Sequence, residues 1–191
     1  FLTSFYEEPD LVHDIFSHCS NLILTLLPRI LEVIQVDYAL FAEDLAGKNG
    51  PLISPKIYEE FWYPQQDPIA AMLKAADVPV ICQWSAGRFD ELIPGMLDHG
   101  FTCTWPLERR AGMDGRELRA KYGRKLLLGG NISLEAVLEG PAAIDCEIER
   151  LKPLIRDGGF IPSLDDMVPV ECTYANYRHL VESLRAVSLN Y

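Results

Sequence analysis

The sequence predicts an α/β protein of the (β/α)8 barrel type, because short apolar strands alternate with helical segments along the whole chain. Runs of this length and composition are typical of strands that are covered on both faces of a parallel sheet. Successive strands begin about one compact β/α unit apart, which favours direct β-α-β connections. No GxGxxG pattern follows the first strand, so a dinucleotide-binding fold has little support. The predicted strands are residues 36–42, 78–83, 101–105, 125–128 and 160–161.

Helical segments separate these strands. Pro9 is placed as the first turn of a helix allows, and Gly100 and Gly123 follow the last residues of two others, as helix-ending glycines do. Ser133 is a suitable cap for a further short helix, and the aromatic residues at 58, 61 and 62 share one helix side, which indicates core packing. The predicted helices are residues 7–33, 56–76, 89–99, 114–122, 142–156 and 174–186.

Composition excludes several classes of function. The 191 residues are 49% hydrophobic and 24% charged, which is enough for one sizeable core. A net charge of −11 argues against a nucleic-acid or anionic-membrane partner. The longest apolar stretch, residues 22–34, is interrupted by Pro28, Arg29 and Glu32, so it does not predict a membrane span. With no secretory signal in the sequence, we expect a cytoplasmic protein.

The five cysteines are scattered and form no CxxC pair. Cys82 and Cys103 lie in apolar strand candidates, so we expect buried free thiols rather than disulfides.

Paired carboxylates follow the first and the last predicted strands. Glu43 and Asp44 lie after the first, and Asp165 and Asp166 after the last. The carboxyl ends of the strands of a parallel barrel share one rim, where active sites are built. Neighbouring carboxylates repel each other, so at least one of a pair needs a cation, a donor or a proton. A solvated acidic turn is the alternative interpretation.

Four segments together resemble the uroporphyrinogen decarboxylase superfamily. They are residues 41–55, 105–114, 128–133 and 158–169, and the resemblance extends from about Glu7 to Leu184. This superfamily includes the decarboxylase of haem synthesis, zinc methyltransferases that act on corrinoid-bound methyl groups, and bacterial members without an assigned reaction. The chain is most similar to the last of these groups.

The resemblance implies that the chain, residues 1–191, is a single domain holding the last five β/α units of a barrel. A complete barrel needs eight strands and typically about 250 residues, so three N-terminal strands would be absent. The sequence also begins at Phe1 without an initiator methionine. We therefore expect a fragment, a truncated product, or a barrel that is completed by another chain.

The resemblance also bears on metal binding. Where the zinc methyltransferases have a His-x-Cys-Gly motif, this sequence reads Trp84-Ser85-Ala86-Gly87, and the position of their later cysteine ligand falls near Ser163. Both kinds of ligand are missing, so we expect no tetrahedral zinc and assign no metal ligand. Glu43, Asp44 and Glu108 with the later aspartates would offer only oxygen ligands, which suit Mg²⁺ or Ca²⁺ better than zinc.

The catalytic candidates are Glu43, Asp44 and Glu108. Glu108 ends a strand and precedes Arg109 and Arg110, a possible cationic clamp for a carboxylate substrate. A surface ion pair is the alternative for these two arginines. The substrate-binding candidates lie at the same predicted rim and are Trp84, Trp105, Gly129, Gly130, Asn131, Asp165 and Asp166.

Two of these candidates have an equally simple structural interpretation. The Trp84 ring offers an aromatic face for a flat or cationic substrate, or it only covers the end of a strand. Gly129 and Gly130 let backbone N–H groups approach an anionic ligand near a helix N-terminus, or they form a tight turn for packing.

The functional expectation is a superfamily enzyme that transfers a methyl group to or from a corrinoid and acts on a small methylated or carboxylated molecule. A corrinoid protein is then an expected partner, and a homo-oligomer is compatible with the sequence. Decarboxylation of a tetrapyrrole, as in porphyrin biosynthesis, is the first alternative. A non-catalytic, truncated barrel that binds a ligand or a partner subunit is the second.

Overall fold

Five parallel strands form one sheet, in which every strand lies beside the parallel strand that precedes it along the chain. The computed structural model describes residues 1–188. A separate antiparallel hairpin over residues 46–51 was not predicted. The strands are β1 (Tyr38–Ala42), β2 (Ala46–Gly47), β3 (Gly50–Pro51), β4 (Val80–Trp84), β5 (Cys103–Leu107), β6 (Leu127–Ile132) and β7 (Phe160–Leu164). The sequential parallel order is that of successive strands in a (β/α)8 barrel, as the sequence predicted.

Helices connect the strands of this sheet. Right-handed crossovers place them on one face, and the opposite face corresponds to the inside of a barrel. The α-helices are α1 (Ser4–Glu7), α2 (Pro9–Leu31), α3 (Pro55–Ile57), α4 (Tyr63–Ala75), α5 (Ile93–Asp98), α6 (Gly115–Tyr122), α7 (Leu134–Glu139), α8 (Pro141–Asp157) and α9 (Tyr174–Ser188). Within residues 1–188, none of these helices has the length and apolar content that crossing a bilayer requires.

Three predicted helices differ from the observed ones. The first is divided at Glu8, because Pro9 begins a new helix. The second contains a π-helical turn, Tyr58–Trp62, between α3 and α4. The third was predicted from residue 89 and is α-helical only over Ile93–Asp98.

Strand β6 differs most from its prediction. The sequence placed its end at Leu128, but the strand continues to Ile132, so Gly129, Gly130 and Asn131 lie inside the strand rather than in a loop. Close packing against β5 explains both glycines. A Cβ atom on Gly129 would lie 2.8 Å from Cγ of Trp105, and Gly130 has a φ of +88° where the β5–β6 register shifts.

The main core lies between the sheet and the helices. Ile81 of β4 and Leu128 of β6 are buried in it, and the Trp62 ring stacks on Phe101 with 5.5 Å between ring centroids. The predicted core packing of the aromatic side of the second helical segment is confirmed. The inner face of the sheet, by contrast, leaves Leu40 42% and Ile161 64% exposed. Strand alternation therefore separates a packed outer face from an open inner face.

Candidate functional site

The loop after β1 is fixed to the loop after β4. The Glu43 backbone N–H donates to the Trp84 carbonyl at 3.1 Å, and the Leu45 N–H donates to Ser85 Oγ at 3.1 Å. Ser85 is completely buried and donates in turn to the Ala86 carbonyl at 2.8 Å. Sequence reasoning missed this role of Ser85, because its partner Leu45 lies 40 residues away.

Glu43 and Asp44 are both exposed residues at the carboxyl end of β1. Protein atoms around the Glu43 carboxyl still remove enough water to raise its pKa, and the negative charge of Asp44 raises this pKa further. Glu43 also lies at the edge of an apolar cavity of about 480 Å³ between α2, β1 and α4. Glu43 is therefore an exposed carboxyl at the rim whose pKa is raised.

The carboxylate of Glu108 binds the backbone of a neighbouring loop. Its carboxylate accepts a hydrogen bond from the Gly87 N–H at 2.8 Å, and its side chain is only 15% exposed. The residue therefore connects the loops after β4 and β5. A catalytic role for Glu108 remains a prediction, and the contact found here is structural.

The two arginines after Glu108 are paired with carboxylates. Arg109 Nη1 lies 2.9 Å from the buried Asp114, and Arg110 Nη2 lies 3.3 Å from Asp166. Arg110 Nε also lies 3.4 Å from Glu135. These contacts match the alternative interpretation of the two arginines, in which they form ion pairs rather than a clamp for substrate. Arg110 nevertheless keeps 45% of its side chain exposed.

The paired aspartates after β7 lie in different environments. Asp165 is 1% exposed and accepts hydrogen bonds from the backbone N–H groups of Arg109, at 2.9 Å, and Leu134, at 3.0 Å. Burial raises the pKa of Asp165 to about 6, although the two backbone hydrogen bonds oppose the shift. Asp166 is half-exposed and pairs with Arg110. Asp165 thus joins the loops after β5 and β6, and only Asp166 faces solvent.

We expect the buried carboxyl of Asp165 to make stability depend on pH. Its folded-state pKa of about 6 lies above the value of about 3.9 in an unfolded chain, so folding takes up a proton between these values. This contribution to stability is complete below about pH 4 and is lost as the pH rises through 6. Relative to Asp165→Asn, the wild-type free energy of unfolding should therefore fall by roughly 2 to 3 kcal/mol between pH 4 and pH 7.

Urea unfolding of both proteins across this pH range tests the expectation, with Asp166→Asn as a control for the loss of a neighbouring, solvent-facing carboxylate. A wild-type and Asp165→Asn difference that is independent of pH would contradict it.

Asn131 is completely buried at a φ of +68°. Its Oδ1 accepts from the Gly115 N–H at 3.0 Å, and its Nδ2 donates to the carbonyls of Leu107 at 3.1 Å and Met113 at 2.7 Å. The Asn131 carbonyl accepts from Arg150 at 2.7 Å. The side chain therefore holds the loop after β5 against β6. Both amide atoms of Asn131 bind protein groups here, and a contact with substrate remains a prediction.

Trp84 and Trp105 occupy neighbouring positions on the inner face of the sheet. They are register partners in β4 and β5, and both are half-buried. Trp105 lies in the middle of β5 rather than at its end, and its Nε1 donates to Ser163 Oγ of β7 at 3.0 Å across the side-chain-free Gly129. The sequence predicted both tryptophans for the site, but it did not predict that they would be neighbours.

The structure thus places the five predicted carboxylates just after the carboxyl ends of their strands and gives them different environments. Glu43, Asp44 and Asp166 face solvent, whereas Glu108 and Asp165 bind backbone N–H groups. Over residues 1–188, no group of three or more His, Cys, Asp or Glu side chains converges in a way that could hold a metal ion. The expected absence of zinc remains a prediction for elemental analysis.

Comparison with known proteins gives the class of the molecule. The uroporphyrinogen decarboxylase (URO-D) family model matches residues 1–187. The chain therefore belongs to the uroporphyrinogen decarboxylase family. No curated protein sequence matches it.

A solved structure of a methyltransferase from Methanosarcina mazei has a similar fold, with a TM-score of 0.65 and 21% sequence identity. The alignment covers 100% of this chain and 52% of that one, so the chain spans about half the length of the solved structure. At this identity the similarity concerns the fold alone.

Proposed function

We propose that this protein is a cytoplasmic barrel methyltransferase that moves a methyl group between a small methylated molecule and a corrinoid. Membership of the uroporphyrinogen decarboxylase family supports a superfamily enzyme, and the protein of similar fold is a methyltransferase. The observation that carries the proposal is the Trp84–Trp105 pair on the open inner face of the sheet. Indole rings attract methylated cations such as quaternary ammonium groups through cation–π interactions.

The roles of the residues follow from their environments. Trp84 and Trp105 would bind the methylated group, and the half-buried rings would exclude water from one side of it. Glu43, with its raised pKa, would give a proton to the heteroatom that keeps the electron pair when its bond to the methyl carbon breaks. The flat indole surface also suits stacking against a corrin ring, and the bound corrinoid would supply the methyl acceptor or donor.

Replacing Trp84 with alanine should lower kcat/KM for a methylated ammonium substrate by about 5- to 30-fold, because a cation–π contact is worth roughly 1 to 2 kcal/mol. Trp84→Phe keeps an aromatic face and should lose less. Tyr174→Ala removes an exposed aromatic residue of α9 and should have no effect. Glu43→Gln should lower kcat and change its pH profile.

The assay mixes the complete polypeptide with cob(I)alamin and a panel of N-, O- and S-methylated small molecules, and follows methylation of cobalt by visible absorbance. Methylation that depends on Trp84 supports the proposal.

The family match itself favours a second candidate, decarboxylation of a tetrapyrrole. Release of CO₂ from uroporphyrinogen without methyl transfer would replace our proposal by that one, and turnover in neither assay would favour a ligand-binding protein without catalysis.

A further inference from the structure

Two cysteines face each other on the inner surface of the sheet. Cys82 of β4 and Cys103 of β5 are register partners, and their exposures are 2% and 7%. Neither forms a disulfide. Leu40 and Leu127 are the next register partners on either side, so the two thiols lie side by side in an apolar row.

This thiol pair lies directly beneath the tryptophan pair. Residues i and i+2 of a strand point to the same face, and the two strands read Cys82-Gln83-Trp84 and Cys103-Thr104-Trp105. The repeated Cys-x-Trp pattern in consecutive strands is the sequence signal for this arrangement. The inner face therefore carries two layers of side chains. The indole rings lie nearer the carboxyl ends of the strands, and the thiols lie one layer further from these ends.

The two thiols interact with each other. A hydrogen bond between them lowers the pKa of Cys103 and raises that of Cys82, and burial raises it further. Each thiol also lies within reach of the carbonyl of the residue that follows it, Cys82 Sγ 3.7 Å from Gln83 and Cys103 Sγ 3.9 Å from Thr104. The lowered pKa of Cys103 favours its thiolate, which is the form that binds soft ions.

The spacing favours an ion between the sulfurs over a disulfide. Neighbouring strands lie about 4.8 Å apart, and paired side chains in a parallel sheet project side by side. A disulfide needs Cβ atoms about 3.8 Å apart, which would require the strands to move closer together. A soft ion with two bonds of about 2.3 Å to sulfur spans the existing gap.

We propose that Cys82 and Cys103 form a two-thiol binding site for a soft, thiophilic ion of the trivalent-arsenic class. With an organic arsenic(III) oxide, two As–S bonds form and the bond between arsenic and oxygen breaks. The oxygen leaves as water with the two thiol protons, and no atom changes its oxidation state. The site does not depend on the methyl transfer proposed above.

The test uses the full chain with its other thiols removed by Cys19→Ser, Cys146→Ser and Cys172→Ser, and phenylarsine oxide as the probe. We expect the folded protein to take up one phenylarsenic group by native mass spectrometry. After denaturation both remaining thiols should be blocked, and a small dithiol should release them. Cys82→Ala and Cys103→Ala in the same background should each weaken binding about 100-fold, because chelation by two linked groups is lost.

Cys82→Ser keeps the shape of the side chain with a smaller terminal atom, and circular dichroism of this variant separates loss of binding from loss of folding. Three results would overturn the proposal. The first is uptake that Cys82→Ala leaves unchanged, and the second is uptake only in urea. The third is a loss of two mass units without bound arsenic, which would indicate a disulfide-forming pair instead.

Discussion

We expect replacement of Asn131 with alanine to lower the free energy of unfolding by about 3 to 4 kcal/mol. The substitution leaves the Gly115 N–H and the carbonyls of Leu107 and Met113 without their buried partners. An unpaired buried polar group costs about 1 to 3 kcal/mol. The total is smaller than the sum for three groups, because water can reach some of these groups once the amide is gone. The φ of +68° adds strain, since alanine adopts this region less readily than asparagine.

Urea unfolding measures the effect, and two variants resolve its causes. Asn131→Gly removes the same hydrogen bonds without the φ strain. Its free energy of unfolding should therefore lie about 1 kcal/mol closer to the wild-type value than that of Asn131→Ala. Asn176→Ala removes a single side-chain bond to the Val137 carbonyl and should cost only about 1 kcal/mol. A loss below 1 kcal/mol for Asn131→Ala would mean that the loop after β5 is held by other contacts.

Gly87→Ala is expected to destabilise the protein by more than 3 kcal/mol. A Cβ atom at this position would lie 2.5 Å from the Ala46 carbonyl oxygen and 2.6 Å from that of Gly47, both of which belong to the β2–β3 hairpin. Backbone cannot rotate away as a side chain can, so the hairpin must move. The same movement would disturb the Gly87 N–H bond to Glu108 and the loop that carries Glu43.

Gly112→Ala is a matched control for this prediction. Gly112 has a φ of +85°, close to the +80° of Gly87, but open space surrounds the position of its missing Cβ. The control should therefore show only the cost of a left-handed φ, about 1 to 2 kcal/mol. Equal losses in the two variants would show that strain in φ, rather than contact with the hairpin, requires glycine at 87.

The strands show how far local sequence predicts this fold. The apolar run at Phe160 and Ile161 predicted β7 at the right place but ended three residues too early. The prediction for β6 also stopped too early, because glycine and asparagine ordinarily mark a turn. Here Gly129 and Gly130 are strand residues, since Trp105 and the backbone of β5 occupy the space that side chains would need.

The candidate site shows a similar division. A parallel order of strands was enough to predict that Glu43, Glu108 and Asp165 share one edge of the sheet. It was not enough to predict which of them is open to a ligand. Asp165 binds the backbone of Arg109, 56 residues away, and backbone N–H groups have no signature in the sequence.

The sequence by itself therefore determined the parallel α/β architecture, the family, and the edge of the sheet where chemistry is expected. These properties depend on the order and polarity of residues along the chain, which hydrophobic periodicity reports directly. Only the tertiary structure decided that Asp165 and Asn131 hold loops together, and that Cys82 lies opposite Cys103 below two tryptophans. Those roles depend on strand register and on contacts between distant segments, which form only when the chain packs.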